Sequence, residues 1–210
     1  MLGVMQRLGW TIVIPVKTLI RAKTRLAAAA GPHREDLAVA VAADTVTAAL
    51  SAEGVARVIV VTADPRPAAV LAGLGADVVP DPDVGLNAAL RAGAASATGA
   101  VAALQADLPA LRPRELTRVL AAAAEFDQSF LPDAADVGTV LYAARPGVAF
   151  RPGFGGESRA RHLSGGAKEL CLAGVDSVRR DVDTIEDLAA AAALGLGPHT
   201  AAVARLVLPG

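Results

Sequence analysis

Four apolar runs in the first half of the chain, each followed by a helical pattern, leave few folds open. They are Trp10–Val16, Ala56–Thr62, Asp77–Val79 and Ala100–Ala106, bounded by Pro, Gly or charged residues. Ala56–Thr62 is apolar almost throughout, as strands covered on both faces are. The helical patterns are Pro32–Ser51, Pro65–Leu74, Gly85–Ala97 and Pro113–Phe126, the last with Pro at a favourable first-turn position. In Pro32–Ser51 the positions Leu37, Val41, Thr45 and Ala48 form a stripe at helical spacing. Strands alternating with helices of this length predict a mostly parallel central sheet with helices on both faces.

The second half is less regular. Ser129–Pro132, Gly138–Ala143 and Val175–Arg180 read as short strands, partly antiparallel. Ser158–Leu172 reads as a helix interrupted by Gly165–Gly166. Asp183–Leu194 is the last clear helix, with Thr184 and Asp187 spaced as a capping-box variant. No repeat or linker divides the chain, and 210 residues suit one α/β domain over residues 1–210.

The hydrophobic fraction of 53% and mean hydropathy of +0.45 owe much to alanine. The apolar runs are far shorter than the roughly 20 residues that span a bilayer. Trp10–Val16 is also too short and β-branched for a signal-peptide core, and no small-residue cleavage pattern follows it. A cytoplasmic protein without a membrane partner is expected. A lone Cys171 excludes an internal disulfide framework and a cysteine-rich zinc site. Its apolar, helix-like surroundings, Lys168–Ala173, predict a buried small hydrophobe. His33, His162 and His199 are scattered without ligand spacing, and His33 and His199 are expected at solvent-facing element ends.

Charge is concentrated where composition gives no reason for it. The chain holds 20 basic and 21 acidic residues, yet no Asp or Glu precedes Glu35. Lys17, Arg21, Lys23 and Arg25 therefore crowd the loop after the first strand without local neutralisation. A cationic loop on a neutral protein is a local anion site rather than a nucleic-acid surface. Two of only three lysines lie in it, against seventeen arginines overall. Lys presents a compact point charge where Arg presents a planar fork, and the anion inferred is a polyphosphate.

Ligands of open parallel sheets bind outside the carboxyl ends of the strands. The basic loop projects there, and so do two acidic segments. Asp107, in Gln105–Pro109, ends an apolar strand and is either a turn former or a metal ligand. Asp181 and Asp183, two apart, face the same way in an extended segment; alternatively Asp183 is a helix N-cap with a solvated neighbour. Together these acids and the basic loop supply the parts for nucleotidyl transfer. Hard oxygen ligands suit Mg²⁺, held by carboxylates and substrate phosphates, and attack by a phosphate oxygen needs positioning and charge stabilisation rather than a protein nucleophile. Asn87, in Gly85–Leu90, either reads a base edge or caps its helix. Phe154–His162 is a glycine-rich turn into a helix, where Ser158 as N-cap with free amides would favour a phosphate and Arg159 and Arg161 would add charge.

These segments together resemble the CofC/FbiD guanylyltransferases of coenzyme F420 biosynthesis. The resemblance is carried by Ile14–Leu26, Gly85–Leu90, Gln105–Pro109, Phe154–His162 and Asp181–Thr184, in consistent order from about Thr11 to Gly197. It implies a GT-A-like, Rossmann-related nucleotidyltransferase fold and transfer of GMP from GTP to a three-carbon phosphoacid, releasing pyrophosphate. By position, Asp107, Asp181 and Asp183 would hold Mg²⁺, and Lys17, Lys23 and Arg25 would contact the triphosphate. Thr139, Gly155 and Ser158 would match the phosphoacid-binding positions. Ala106 stands where the family commonly has Gly, and the variable loop from Asp81 to Gly85 leaves the guanine contacts open. Phosphoenolpyruvate, 2-phospho-L-lactate and 3-phospho-D-glycerate are the acceptors of such enzymes. The Ala/Arg-rich, Lys-poor composition is that of a high-GC bacterial genome, where phosphoenolpyruvate is expected. Hand-over of a reactive product to the next F420-pathway enzyme is expected too, and a non-catalytic nucleotide-binding module is the rival reading.

Overall fold

The computed structural model describes residues 9–19 and 30–208. Arg21, Lys23 and Arg25 lie outside the described residues, so the expectations placed on them are not met or refuted by the geometry below. Strands β1 (Trp10–Pro15), β2 (Val55–Thr62), β3 (Asp77–Pro80) and β4 (Ala100–Leu104) are joined through helices α1 (Arg34–Leu50), α2 (Pro65–Gly73) and α3 (Leu86–Ala94). After α4 (Pro113–Ala123) come β5 (Gln128–Pro132), β6 (Thr139–Ala144), α5 (Ser158–Ser164) and β7 (Lys168–Glu169). Helices α6 (Asp176–Arg179), α7 (Ile185–Leu194) and α8 (Pro198–Val207) follow. One seven-stranded sheet has the order β3-β2-β1-β4-β6-β5-β7. The pairs among β1 to β4 are parallel, and β6 runs antiparallel to both β4 and β5.

Side chains alternate across a strand, and the core divides accordingly. Ile12, Ile14, Val58 and Val60 face α1 and α4, whereas Val13, Ile59 and Val61 pack with Ala89 and Leu90 of α3. The helices therefore cover both faces, as expected. In α1 the stripe of Leu37, Val41, Thr45 and Ala48 is buried in full. Helix α3 lies so near the sheet that a Cβ on Gly93 would come within 2.5 Å of Val13 Cγ1 and 2.7 Å of Val61 Cγ2.

Three expectations are corrected. Val175–Arg180 is not a strand but contains α6. Buried Val175, Val178 and Val182 stand three and four apart, a helical spacing, and buried Glu115 of α4 accepts both the Ser177 amide (2.9 Å) and hydroxyl (2.7 Å). Ser158–Leu172 is not one interrupted helix, because Gly165 and Gly166 end α5, their amides closing on Arg161 O and Leu163 O. The chain then pairs with β5 as β7. Cys171 is exposed; the adjacent Leu170, bonded through its amide to Phe130 O, takes the buried place. Helix α8, beyond the last helix expected, packs on α1. Asp44 of α1, buried, accepts the His199 amide at 3.2 Å and the Thr200 amide at 2.7 Å at its start. No helix among the described residues is long and apolar enough to cross a membrane.

Candidate active site

A cleft of about 310 Å³ opens at the carboxyl edge of β1 and β4. Lys17 reaches it from the end of β1, Asp107 from the end of β4, and Asp183 from the turn into α7. Val39, Leu86 and Leu90 supply apolar wall from α1 and α3, and Phe154 closes it from the loop before α5. The sequence spreads these groups over more than 160 positions; parallel strand pairing of β1 with β4 brings the first two together.

Asp107 is fixed through its backbone. Thr45 Oγ1 lies 3.1 Å from Ala106 O and accepts the Leu108 amide at 3.1 Å, so α1 holds the peptides on both sides of Asp107. The Val182 amide donates to Asp107 O at 3.0 Å, which ties the segment Asp181-Val182-Asp183 to the end of β4. The Asp181 carboxyl is consequently pushed up to about 7, first by burial and then by the charges of Asp107 and Asp133, with Asp183 adding to them. One Asp107 oxygen is shielded from solvent. Among the described residues no three or more His, Cys, Asp or Glu converge as a preformed metal cage. The capping box expected at α7 is present: Thr184 accepts the Asp187 amide at 3.2 Å, and Asp187 accepts the Thr184 amide at 2.9 Å. Asp183 is therefore not the N-cap, and it lines the cleft.

The glycine-rich loop is tied down at nearly every polar group. Asn87 Nδ2 donates to Phe154 O at 3.0 Å and its Oδ1 accepts the Phe154 amide at 2.8 Å. Arg161 Nη1 reaches the carbonyls of Gly153 (2.6 Å), Phe154 (3.4 Å) and Gly155 (2.9 Å). Gly155, at φ +101°, holds a backbone conformation that a side chain would strain. The fully buried Thr139 at the start of β6, Ser158 at 2% exposure and the loop meet around His162. Gln105 binds Thr139 O through Nε2 at 2.8 Å and Val140 O through its amide at 3.0 Å, joining this corner to the Asp107 strand end.

Several proposed contacts are placed otherwise than the sequence implied. Asn87 does not cap α3, whose N-cap is Gly85; its carboxamide is oriented by two bonds to the Phe154 backbone, which leave one Nδ2 hydrogen for any further partner. Arg159 pairs with Glu169 through Nε and Nη2, both at 3.0 Å, and gives Nη1 to Asp136 O, so its guanidinium holds α5 to β7 rather than a phosphate. Ser158 is not the N-cap of α5, a position taken by Glu157. The amides of Ser158 and Arg159 are bonded to Gly156 O and Val137 O, so they are not free donors either. Thr45 and His162 escaped the sequence reading. Thr45 looked like a buried helix position, and a single histidine far from any other has no spacing to mark it.

Two aspartates and a lysine thus line a cleft at the carboxyl edge of a largely parallel sheet, the edge at which open α/β sheets bind ligands. Solved structures agree at the level of fold. One from Desulfovibrio desulfuricans, assigned to the nucleotide-diphospho-sugar transferases, matches with TM-score 0.65 at 16% identity, covering 94% of each chain. The CMP:2-keto-3-deoxy-manno-octonic acid synthetase complexed with CTP matches with TM-score 0.54 at 18% identity, covering 89% of this chain and 98% of that one. The chain belongs to the family described as guanylyl transferase CofC like, whose model matches residues 10–206. A protein of Streptosporangium roseum named phosphoenolpyruvate guanylyltransferase is 67% identical, over 96% of this chain and 93% of its own length. Proteins of the same name from Thermomonospora curvata and Streptomyces coelicolor are 64% and 58% identical, over 94% and 96% of this chain and 89% and 99% of their own.

Proposed function

We propose that the protein transfers GMP from GTP to phosphoenolpyruvate. A phosphate oxygen of the acceptor attacks the α-phosphorus of GTP, the bond to the β-phosphate oxygen breaks, and pyrophosphate leaves with that electron pair. The product is enolpyruvoyl-2-diphospho-5'-guanosine. The observation that carries the reading is the convergence of Lys17, Asp107 and Asp183 on one cleft, in a chain of this family whose relatives of that name are 58–67% identical. The reaction places the enzyme in coenzyme F420 biosynthesis in the cytoplasm, with a reactive diphosphate ester handed to the next enzyme of the pathway.

The residues present fit a divalent ion. Asp107 and Asp183 line the same cleft, and Asp181, lifted first by burial and then by the charges of Asp107 and Asp133, is a carboxyl whose ionisation a nearby cation would favour. The lack of a preformed cage is compatible with Mg²⁺, which takes one or two carboxylates and completes its shell with water and phosphates. When bound, Mg²⁺ supplies charge neutralisation at the phosphate oxygens. Asp107, Asp181 and Asp183 are the residues that would hold it. Lys17 lines the cleft and would meet the charge of the triphosphate, with Lys23 and Arg25 proposed to join it. Thr139, Gly155 and Ser158 would receive the acceptor, beside the strand end that carries Asp107.

The test is pyrophosphate release from GTP and Mg²⁺ with phosphoenolpyruvate, 2-phospho-L-lactate and 3-phospho-D-glycerate side by side, coupled to the next pathway enzyme to draw off product. Phosphoenolpyruvate is planar at C2 and 2-phospho-L-lactate tetrahedral. A steric difference of that size separates substrates by about 10–200-fold, so phosphoenolpyruvate is expected to lead without excluding the others. A tenfold advantage for 2-phospho-L-lactate overturns the acceptor, and no pyrophosphate with any of the three overturns the activity.

A further inference from the structure

His162 is buried to 3% exposure in an aromatic box, stacked on Tyr142 at 4.7 Å and flanked by Phe130 and Phe154 at 5.4 and 5.5 Å between ring centroids. Its two nitrogens face different kinds of partner. The Gly153 amide donates to Nε2 at 2.9 Å. A backbone N–H can only donate, so Nε2 carries no hydrogen. Burial, reinforced by the Arg161 charge, lowers the pKa of the ring to about 4 and keeps it neutral at pH 7. The single ring hydrogen therefore sits on Nδ1, 3.0 Å from Thr139 Oγ1 and within reach of the Ser158 backbone, so toward this nitrogen the Thr139 oxygen can only accept. The hydrogen of the Thr139 hydroxyl is left over, and no described residue accepts it.

We propose that His162 is a positioning residue of the acceptor site: by donating from Nδ1 to Thr139 it obliges that hydroxyl to act as a donor toward the phosphoacid, while Nε2 holds the Gly153–Gly155 turn at the distance the acid requires. The inference rests on the reading of Thr139, Gly155 and Ser158 as the acceptor site. A threonine hydroxyl free to rotate can present lone pairs to an anion, which repels it. One whose lone pair is engaged by an N–H presents a hydrogen. The same ring spans β6 and the glycine turn, so it sets both the polarity and the spacing of the pocket without touching GTP. The stacked aromatic faces oppose the half-turn that would put ring carbons in the places of the nitrogens.

The experiment is steady-state kinetics of His162→Phe, His162→Asn, Thr139→Val and the double variant His162→Phe/Thr139→Val, with phosphoenolpyruvate and GTP varied in turn. Expected are a rise of about tenfold in the phosphoenolpyruvate KM for His162→Phe, the size of one lost hydrogen bond to a charged ligand, and a change of less than about twofold in the GTP KM. His162→Asn, which keeps an N–H near the place of Nδ1, recovers most of that loss, and the double variant is no worse than the poorer single one. Additive losses in the double variant, or equal losses for both substrates, overturn the role of His162 while leaving the pocket in place. An unchanged phosphoenolpyruvate KM in Thr139→Val removes the pocket reading itself. Should His162→Phe fail to fold, nitrogen NMR of the wild-type ring decides: a neutral ring protonated on Nδ1 at pH 7 supports the proposal, and hydrogen on Nε2 refutes it.

Discussion

Asn87 pairs edge to edge with the backbone of Phe154, its Nδ2 donating to the carbonyl oxygen at 3.0 Å and its Oδ1 accepting the N–H at 2.8 Å. Sixty-seven residues separate them, and the pairing fixes the glycine turn to the helix that walls the cleft. Since Phe154 lines the cleft and Gly155 follows it, one carboxamide serves both the nucleotide side and the proposed acceptor side. Asn87→Ala is expected to raise the KM for GTP and for the acceptor together, by about 10–100-fold, as unpaired part-buried peptide groups cost about 1–3 kcal/mol. The preference for GTP over ATP should stay as it was. Loss of that preference with an unchanged acceptor KM would show that Asn87 reads the base.

Asp107→Asn and Asp183→Asn are each expected to lower kcat by at least about two orders of magnitude, the scale of losing one key electrostatic group. The fold should survive, because Asp107 is held through its peptide by Thr45 and Val182 rather than through its carboxylate alone. Thermal unfolding beside the kinetics checks both halves. Near-normal turnover in both variants would move the metal elsewhere.

Gly93→Ala should destabilise without touching the chemistry. The added methyl meets Val13 and Val61 at separations no carbon pair tolerates, so α3 must shift off the sheet. Overpacking of this kind costs about 1–3 kcal/mol. A lower Tm with a modest rise in the GTP KM is expected, since Leu86 and Leu90 travel with α3.

The pH dependence of stability should carry the mark of His162. Its pKa is about 4 in the folded protein against 6.5 ordinarily. Between these values the unfolded chain binds a proton that the native chain does not, so the His162 contribution falls as the pH drops from 6.5 toward 4 and levels off below, while the Asp181 carboxyl, pushed up to about 7, contributes in the opposite sense over the same range. Above 6.5 the His162 contribution is constant. The full span is worth about 3 kcal/mol. Among the described residues the ring faces Phe130, Tyr142, Phe154, Thr139 and the backbone of Gly153 and Ser158, and the charge acting on it is Arg161. Denaturant titrations at several pH values isolate the His162 share as a difference: the stability of the wild type relative to His162→Phe should fall as the pH drops from 6.5 toward 4.

The first half of the fold could be read from sequence because buried parallel strands are unbroken apolar runs and their connecting helices carry caps and prolines that mark their ends. The second half resisted. β7 is two residues long, below any periodicity, and α6 shows its helical spacing only if Val182 is counted beyond its end. Asp107, Asp183 and Lys17 were legible as residues of one cleft because strand ends announce where a parallel sheet binds. The partners of Asn87 and Arg159 were not: Phe154 offers only backbone, and nothing in the sequence pairs Arg159 with Glu169 in preference to a phosphate.

Asp44 gives the cleft an unexpected dependence. It sits on α1, whose Val39, Val41 and Ala42 wall the cleft, and its buried carboxylate is answered by the amides that begin α8. The wall against which the nucleotide would rest is therefore braced from behind by the far end of the sequence. Remove that brace and a desolvated charge is stranded in the interior, a loss of several kcal/mol. Residues far from the cleft thus help to set the position of its wall: the back of α1 is held by the bonds of Asp44 to the start of α8 and by the apolar packing of Leu37 and Val41 with Ala204.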